Sequence, residues 1–99
     1  MRRLLLLLIT FIIIVICLSW RSPHSDNGRS LFQENCVRCH GEDGTKGLLG
    51  ARNLRKSRIT DSAIIYRISN GKRFMPAFKK RLNSEDILQL AAYIKTLRQ

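Results

Sequence analysis

Few residues in this chain could build a metal cage. Its 99 residues include three cysteines, two histidines and two methionines. A structural zinc site takes four ligands. Here they would have to come from Cys17, His24, Cys36, Cys39 and His40, and Cys17 lies inside an apolar run. With no second C-x-x-C and no properly spaced histidine pair, the sequence argues against a zinc ribbon or finger. Nothing alternates strand with helix, which removes the βαβ frame of a thioredoxin-like redox pair. No nucleic-acid-binding motif is present. Acidic residues are also scarce, at 7 Asp and Glu against 18 Lys and Arg, for a net charge of +11. That balance steers the protein toward anionic partners without by itself defining a site.

Against this background Cys36-Val37-Arg38-Cys39-His40 stands out. Two thiols three residues apart, followed at once by a histidine, form the attachment signature of a c-type haem. Each thiol can add to one vinyl group of the porphyrin, giving two thioether bonds to a single ring. The histidine then lies beside the tethered edge, where its imidazole can reach the iron. A haem held covalently cannot dissociate, which suits a protein working outside the cytoplasm. The motif predicts one covalent haem c, with Cys36 and Cys39 as its anchors and His40 as an axial ligand.

Met1-Arg2-Arg3 precedes an apolar stretch of 17 residues, Leu4 to Trp20, interrupted by Thr10 and Ser19. That length is at the short end for a bilayer span. It also exceeds the ~7–15 residue core of a cleaved signal peptide. No A-x-A cleavage pattern is present, although Cys17 and Ser19 satisfy a looser small-residue rule. Ile14-Val15-Ile16 lacks the small residues of a lipoprotein signal. Residues 1–20 are therefore expected to be a transmembrane anchor or signal segment, with a retained anchor ahead of a cleaved signal. Arg2 and Arg3 stay inside and the remainder is exported. The domain is expected to be membrane-anchored and facing the periplasm or cell exterior, or else soluble in the periplasm after cleavage.

Residues 21–27, with Pro23, read as a linker, and residues 28–99 as the working domain. Residues 21–99 carry 16 Lys and Arg against 7 Asp and Glu. Ser25 or Asp26 is the expected cap of a first helix that runs to His40. Gly28, Phe32 and Cys36 share one face of it, with Leu31 and Cys39 adjacent. Gly41 suits a left-handed exit. Residues 41–57 read as loop. Thr60 or Asp61 opens a second helix with Ile64, Ile65 and Ile68 as its buried stripe, and Gly71 ends it. Lys72 to Leu82 is a loop containing Met75-Pro76. Asn83 or Ser84 caps the last helix, whose stripe is Ile87, Leu90, Ala91, Ile94 and Leu97. Glu85 and Asp86 complement its positive end, and Lys95 and Arg98 its negative end. No strand signal competes, and the expected class is all-α.

In order along the chain, Gly28 and Phe32, CVRCH, the Gly-rich stretch after it, GKRFMPAF and LAAYIKTL resemble the small class I cytochromes c. The resemblance covers about Gly28 to Leu97. It implies three main helices around one haem, with the first and last crossing where Gly28 and Phe32 meet Tyr93. It also implies that Met75 is the sixth iron ligand, and the only other methionine is the initiator. A packed loop methionine is the plainer alternative. His24 is the rival ligand, placed in the linker. The family often has a proline where Arg52 stands in Gly50-Ala51-Arg52-Asn53-Leu54, and a carbonyl near it commonly receives the second nitrogen of the haem histidine. Arg52 or Arg55 could pair a haem propionate, or could simply be exposed.

A His/Met pair implies a single-electron carrier of fairly high potential, with no small-molecule substrate and no enzymatic step. The expected partners are acidic-surfaced redox proteins or membrane respiratory complexes, with the membrane itself contacted by the N-terminal segment and no nucleic acid. Lys72, Arg73, Lys79, Lys80 and Arg81 bracket Met75 and would form a positive rim at the haem edge. One alternative is a haem-carrying subunit of an oxidase or dehydrogenase. Another is a haem enzyme or gas sensor with a displaceable sixth ligand.

Overall fold

The computed structural model describes residues 1–19 and 24–99, with the backbone alone at 24–26. Its helices are α1 (Arg2–Leu18), α2 (His24–Asn35), α3 (Val37–His40), α4 (Asp61–Asn70) and α5 (Ser84–Thr96), with a 3-10 turn at Leu48–Gly50. Among the described residues the only β-type pairing is one isolated bridge, between Lys72 and Met75. The all-α expectation is met, with α2, α4 and α5 as the three main helices.

The N-terminal segment departs from expectation over residues 1–19, and Trp20 lies outside the described residues. None of the α1 side chains is buried. Among the described residues no helix is long and apolar enough to cross a membrane. The 17 residues of α1 include Arg2 and Arg3. At 1.5 Å per residue they rise about 26 Å, short of a hydrocarbon core of about 30 Å. The transmembrane anchor expected from the apolar run is therefore not supported.

Residues 21–23 of the expected linker lie outside the described residues. α2 opens at His24, so Ser25 and Asp26 fall within its first turn instead of capping it. In a run such as His-Ser-Asp-Asn several residues are comparably good caps, and the pattern does not single one out. The first helix also does not run unbroken to His40. It ends at Asn35, and Cys36, with φ −119° and ψ −30°, is the N-cap of α3.

The other two helices follow their local signals. At α4 the Thr60 hydroxyl accepts from the Ala63 amide at 3.2 Å, satisfying one of the orphan N–H groups of a helix start. At α5 a capping box forms: Asn83 Oδ1 accepts from the Asp86 amide at 2.8 Å, and Asp86 Oδ2 accepts from the Asn83 amide at 3.3 Å. Of the expected stripes, Ile64 and Ile68 of α4 and Ile87, Leu90, Ala91 and Ile94 of α5 are buried. Ile65 and Leu97, the latter the C-cap of α5, are only partly buried. Phe32 and Leu90 are fully buried, and each such side chain contributes about 1.5–3 kcal/mol.

The crossing of α2 and α5 sets the frame of the domain. A Cβ at Gly28 would lie 2.5 Å from the Gln89 carbonyl oxygen and 3.0 Å from Tyr93 Cβ. Only a hydrogen lets the two backbones approach this closely. One turn on, the rings of Phe32 and Tyr93 meet with centroids 5.3 Å apart and planes inclined at 54°, a tilted geometry that aromatic pairs favour. The contact among Gly28, Phe32 and Tyr93 is thus the one implied by the resemblance. Asn27 adds a side-chain hydrogen bond to Gln89 beside it.

Candidate haem site

Cys36, Cys39 and His40 come from the α2–α3 junction and Met75 from the loop after α4, yet all four line one cavity of about 480 Å³. Its walls are mainly the core side chains Phe32, Ile64, Ile68, Phe78 and Ile94, together with Leu54 and Ile59. That size, with apolar walls and a set of basic and polar side chains beside them, suits a cofactor that is apolar in its body and anionic at its edge.

The C-x-x-C-H segment is placed by its backbone. The Cys36 amide donates to the Phe32 carbonyl at 2.8 Å, and the His40 amide to the Cys36 carbonyl at 3.0 Å. This helical path keeps both thiols and the imidazole on the cavity wall. Gly41 then leaves at φ 76°, ψ 166°, a region open essentially to glycine alone. The positive φ agrees with expectation, but the exit is extended and not the left-handed helical form. Burial, and secondarily the neighbouring Cys39, push the Cys36 thiol up to about 12, so it is a protonated thiol at neutral pH.

His40 Nδ1 lies 3.0 Å from the Arg52 carbonyl oxygen. The carbonyl accepts, so Nδ1 carries the proton and Nε2 keeps its lone pair. Burial lowers the His40 pKa from its ordinary value, partly offset by that hydrogen bond. The net lowering favours a neutral imidazole, and the hydrogen bond fixes the tautomer that leaves Nε2 as the donor atom. Arg52 therefore supplies the carbonyl even though it stands where the family often has proline.

Met75 is positioned by a tight turn. The Lys72 amide donates to the Met75 carbonyl and the Met75 amide to the Lys72 carbonyl, each at 3.0 Å. Arg73 takes φ 54° within the turn. Gly71 precedes it at φ 69°, where a Cβ would lie 2.4 Å from the Met75 carbonyl oxygen. His24, the rival ligand, opens α2, and its side chain lies outside the described residues.

The five cations around Met75 separate into groups. Lys72 and Arg73 line the cavity. Lys79 Nζ donates to Asn70 Oδ1 at 3.1 Å, and Arg81 sits over the buried Phe78 ring at 4.7 Å. Lys80 is exposed. Arg52 lines the cavity, whereas Arg55 does not and faces Asp43 at 3.7 Å.

Ser57 and Arg98, both on the cavity wall, were not singled out as site residues by the pattern. Ser57 sits in a segment without period. Arg98 reads as a cation complementing the end of α5, yet it lies beyond that helix, after Leu97. Each holds a buried polar atom with no partner, Ser57 Oγ and Arg98 Nε. Two thiols, an imidazole, a thioether, apolar walls and unspent polar donors suit a haem, an apolar ring with polar carboxylates.

The family described as cytochrome c oxidase, cbb3-type, subunit III, matches residues 23–94. Among curated proteins, the chain is 40% identical over 75 residues to cytochrome c6 of Pyropia tenera, covering 70% of this chain and 87% of that protein. It is 42% identical over 77 residues to cytochrome c6 of a Nostoc species, covering 71% and 68%. It is 37% identical over 73 residues to cytochrome c6 of Leptolyngbya boryana, covering 68% and 85%. The chain therefore belongs to the cytochrome c family, as a class I, mono-haem c-type cytochrome that carries one covalently bound haem c and works as a single-electron carrier, not an enzyme.

Proposed function

We propose that Cys36 and Cys39 hold the haem through thioether bonds and that His40 and Met75 are its two axial ligands. The observation carrying this reading is that these four side chains, from segments separated by α4, line one cavity. When bound, the haem supplies a one-electron change at its iron. The protein's residues tune and protect that change. The Arg52 carbonyl orients His40, as a hydrogen bond to the outer nitrogen of a ligating histidine commonly does. The turn at Lys72–Met75 holds the thioether in place. Phe32, Ile68 and Phe78 exclude water and keep the dielectric low. A soft thioether favours ferrous iron, and the basic surface disfavours the additional charge of the ferric form. The carrier is accordingly of fairly high potential.

Redox titration tests the ligand set. Met75→His should place the midpoint potential well below that of the wild type, and an unchanged midpoint would refute ligation by Met75.

The N-terminal segment acts as an export signal, with Arg2 and Arg3 left on the inner side. The domain works in the periplasm, where haem attachment and a basic surface suit it to acidic-surfaced redox proteins. Mass spectrometry of the mature N-terminus tests this reading, and a chain retaining residues 1–20 would contradict it.

A second reading is favoured by the matching family, described as an oxidase subunit. In that case the same electron transfer takes place within a complex. Co-purification with an oxidase through detergent washes would support the subunit, and an isolated monomer would support the free carrier.

A further inference from the structure

We propose that Ser57 and Arg98 form the seat of one haem propionate, with the Ser57 hydroxyl donating to the carboxylate and the Arg98 guanidinium pairing with it. This assignment rests on the haem being held by Cys36, Cys39, His40 and Met75, and adds two residues to that seat.

Three observations carry it. The first is that both side chains line the haem cavity and each holds a buried polar atom with no partner, Ser57 Oγ and Arg98 Nε. Leaving a buried donor unsatisfied is costly, and more so when the group is charged. Two such donors in one cavity call for an acceptor.

The second is the charge of the lining. Arg52, Arg67, Lys72, Arg73 and Arg98 all line the cavity, and among the described residues no Asp or Glu does. A cavity whose charged lining residues are all cations favours an anionic guest. The haem brings two carboxylates, the acceptors that a guanidinium fork and a hydroxyl match.

The third is how Arg98 is held. Its Nη2 donates to the Ile59 carbonyl at 2.8 Å. The Gln99 amide donates to the Arg55 carbonyl at 3.2 Å, and Arg58 hydrogen-bonds to the Gln99 carbonyl. The tail 98–99 is thus joined to both ends of the segment 55–59, with Ser57 at its centre. One nitrogen of the guanidinium fixes the fork and leaves Nε unspent. Arg55, by contrast, faces Asp43 away from the cavity lining, so it is not the propionate partner.

Resonance Raman spectroscopy of the haem-loaded protein tests the assignment through the propionate-bending band. In Ser57→Ala and in Arg98→Leu that band should move to lower frequency, as hydrogen bonding to the carboxylate is lost. Arg98→Lys and Ser57→Thr, which keep a donor, should leave the band close to its wild-type position. The bands reporting iron ligation should stay in place throughout. A propionate band unmoved in both Ser57→Ala and Arg98→Leu would overturn the proposal while leaving the haem ligands intact. Should Arg98→Leu fail to fold, Ser57→Ala decides alone, because it removes a single oxygen. A wild type whose ligation bands exclude His/Met would overturn the haem seat itself, and this assignment with it.

Discussion

The imidazole of His40 is oriented by a backbone group, the Arg52 carbonyl, at 3.0 Å from Nδ1. The Arg52 side chain has no part in that bond. Arg52→Ala should therefore leave the visible spectrum and the His40 ligation unchanged, to within the scatter of repeat preparations. A spectrum altered to that of a weakly held or displaced histidine would show that the side chain, not the carbonyl, sets the ring.

Gly28 and Gln89 meet too closely for any side chain. A Cβ at position 28 would lie 2.5 Å from a carbonyl oxygen, and backbone cannot yield as a flexible side chain does. Gly28→Ala should cost about 1–3 kcal/mol despite alanine's better helix propensity. In a domain of this size, about 1 kcal/mol lowers Tm by about 4–8 °C. Thermal unfolding of the haem-loaded protein measures it, and an unchanged or raised Tm would show that α2 and α5 are not packed as described.

The side chains that build the core also wall the haem cavity: Phe32, Ile64, Ile68, Phe78 and Ile94 belong to both. A domain of fewer than about 80 residues rarely gains more than about 3–5 kcal/mol from one apolar core. Stability and haem attachment should therefore be coupled. Cys36→Ala with Cys39→Ala should abolish the cooperative thermal transition followed by circular dichroism. A sharp transition near the wild-type temperature would contradict this.

Much of this arrangement was legible in the sequence because the signals are local or periodic. The caps Thr60 and Asn83 each come from a pair of neighbouring candidates, Thr60 or Asp61 and Asn83 or Ser84. Most of the stripes of α4 and α5 follow from spacing. The C-x-x-C-H group names its own chemistry, and Met75 stands out because the only other methionine is the initiator. The missed features depend on tertiary contact. Ser57 and Arg98 are unremarkable in sequence, and their place on the cavity wall depends on contacts between the tail and the segment 55–59. The break at Cys36 leaves no mark in the hydrophobic pattern, because Cys36 and Cys39 are displayed whether or not the helix is continuous. The apolar run before Trp20 gave a length at the margin, and the helix takes in two arginines at its start.

Basic residues near Met75 should govern encounter with a redox partner. Lys79 and Lys80 are both exposed, and charges of this kind act mainly on association rate. Lys79→Glu with Lys80→Glu should slow electron transfer to an acidic partner several-fold at low salt, and the gap should close as ionic strength rises. Stopped-flow kinetics across a salt series checks it. Equal rates at low salt would show that the partner docks elsewhere.

The most direct test of the account is the visible spectrum of the oxidised, haem-loaded protein in the far-red region, compared between wild type and Met75→Ala. Methionine sulfur on ferric iron gives a weak charge-transfer band there. That band should be present in the wild type and lost in Met75→Ala. A wild-type spectrum of the high-spin or bis-histidine kind, with no such band, would contradict it and favour an open or differently ligated iron.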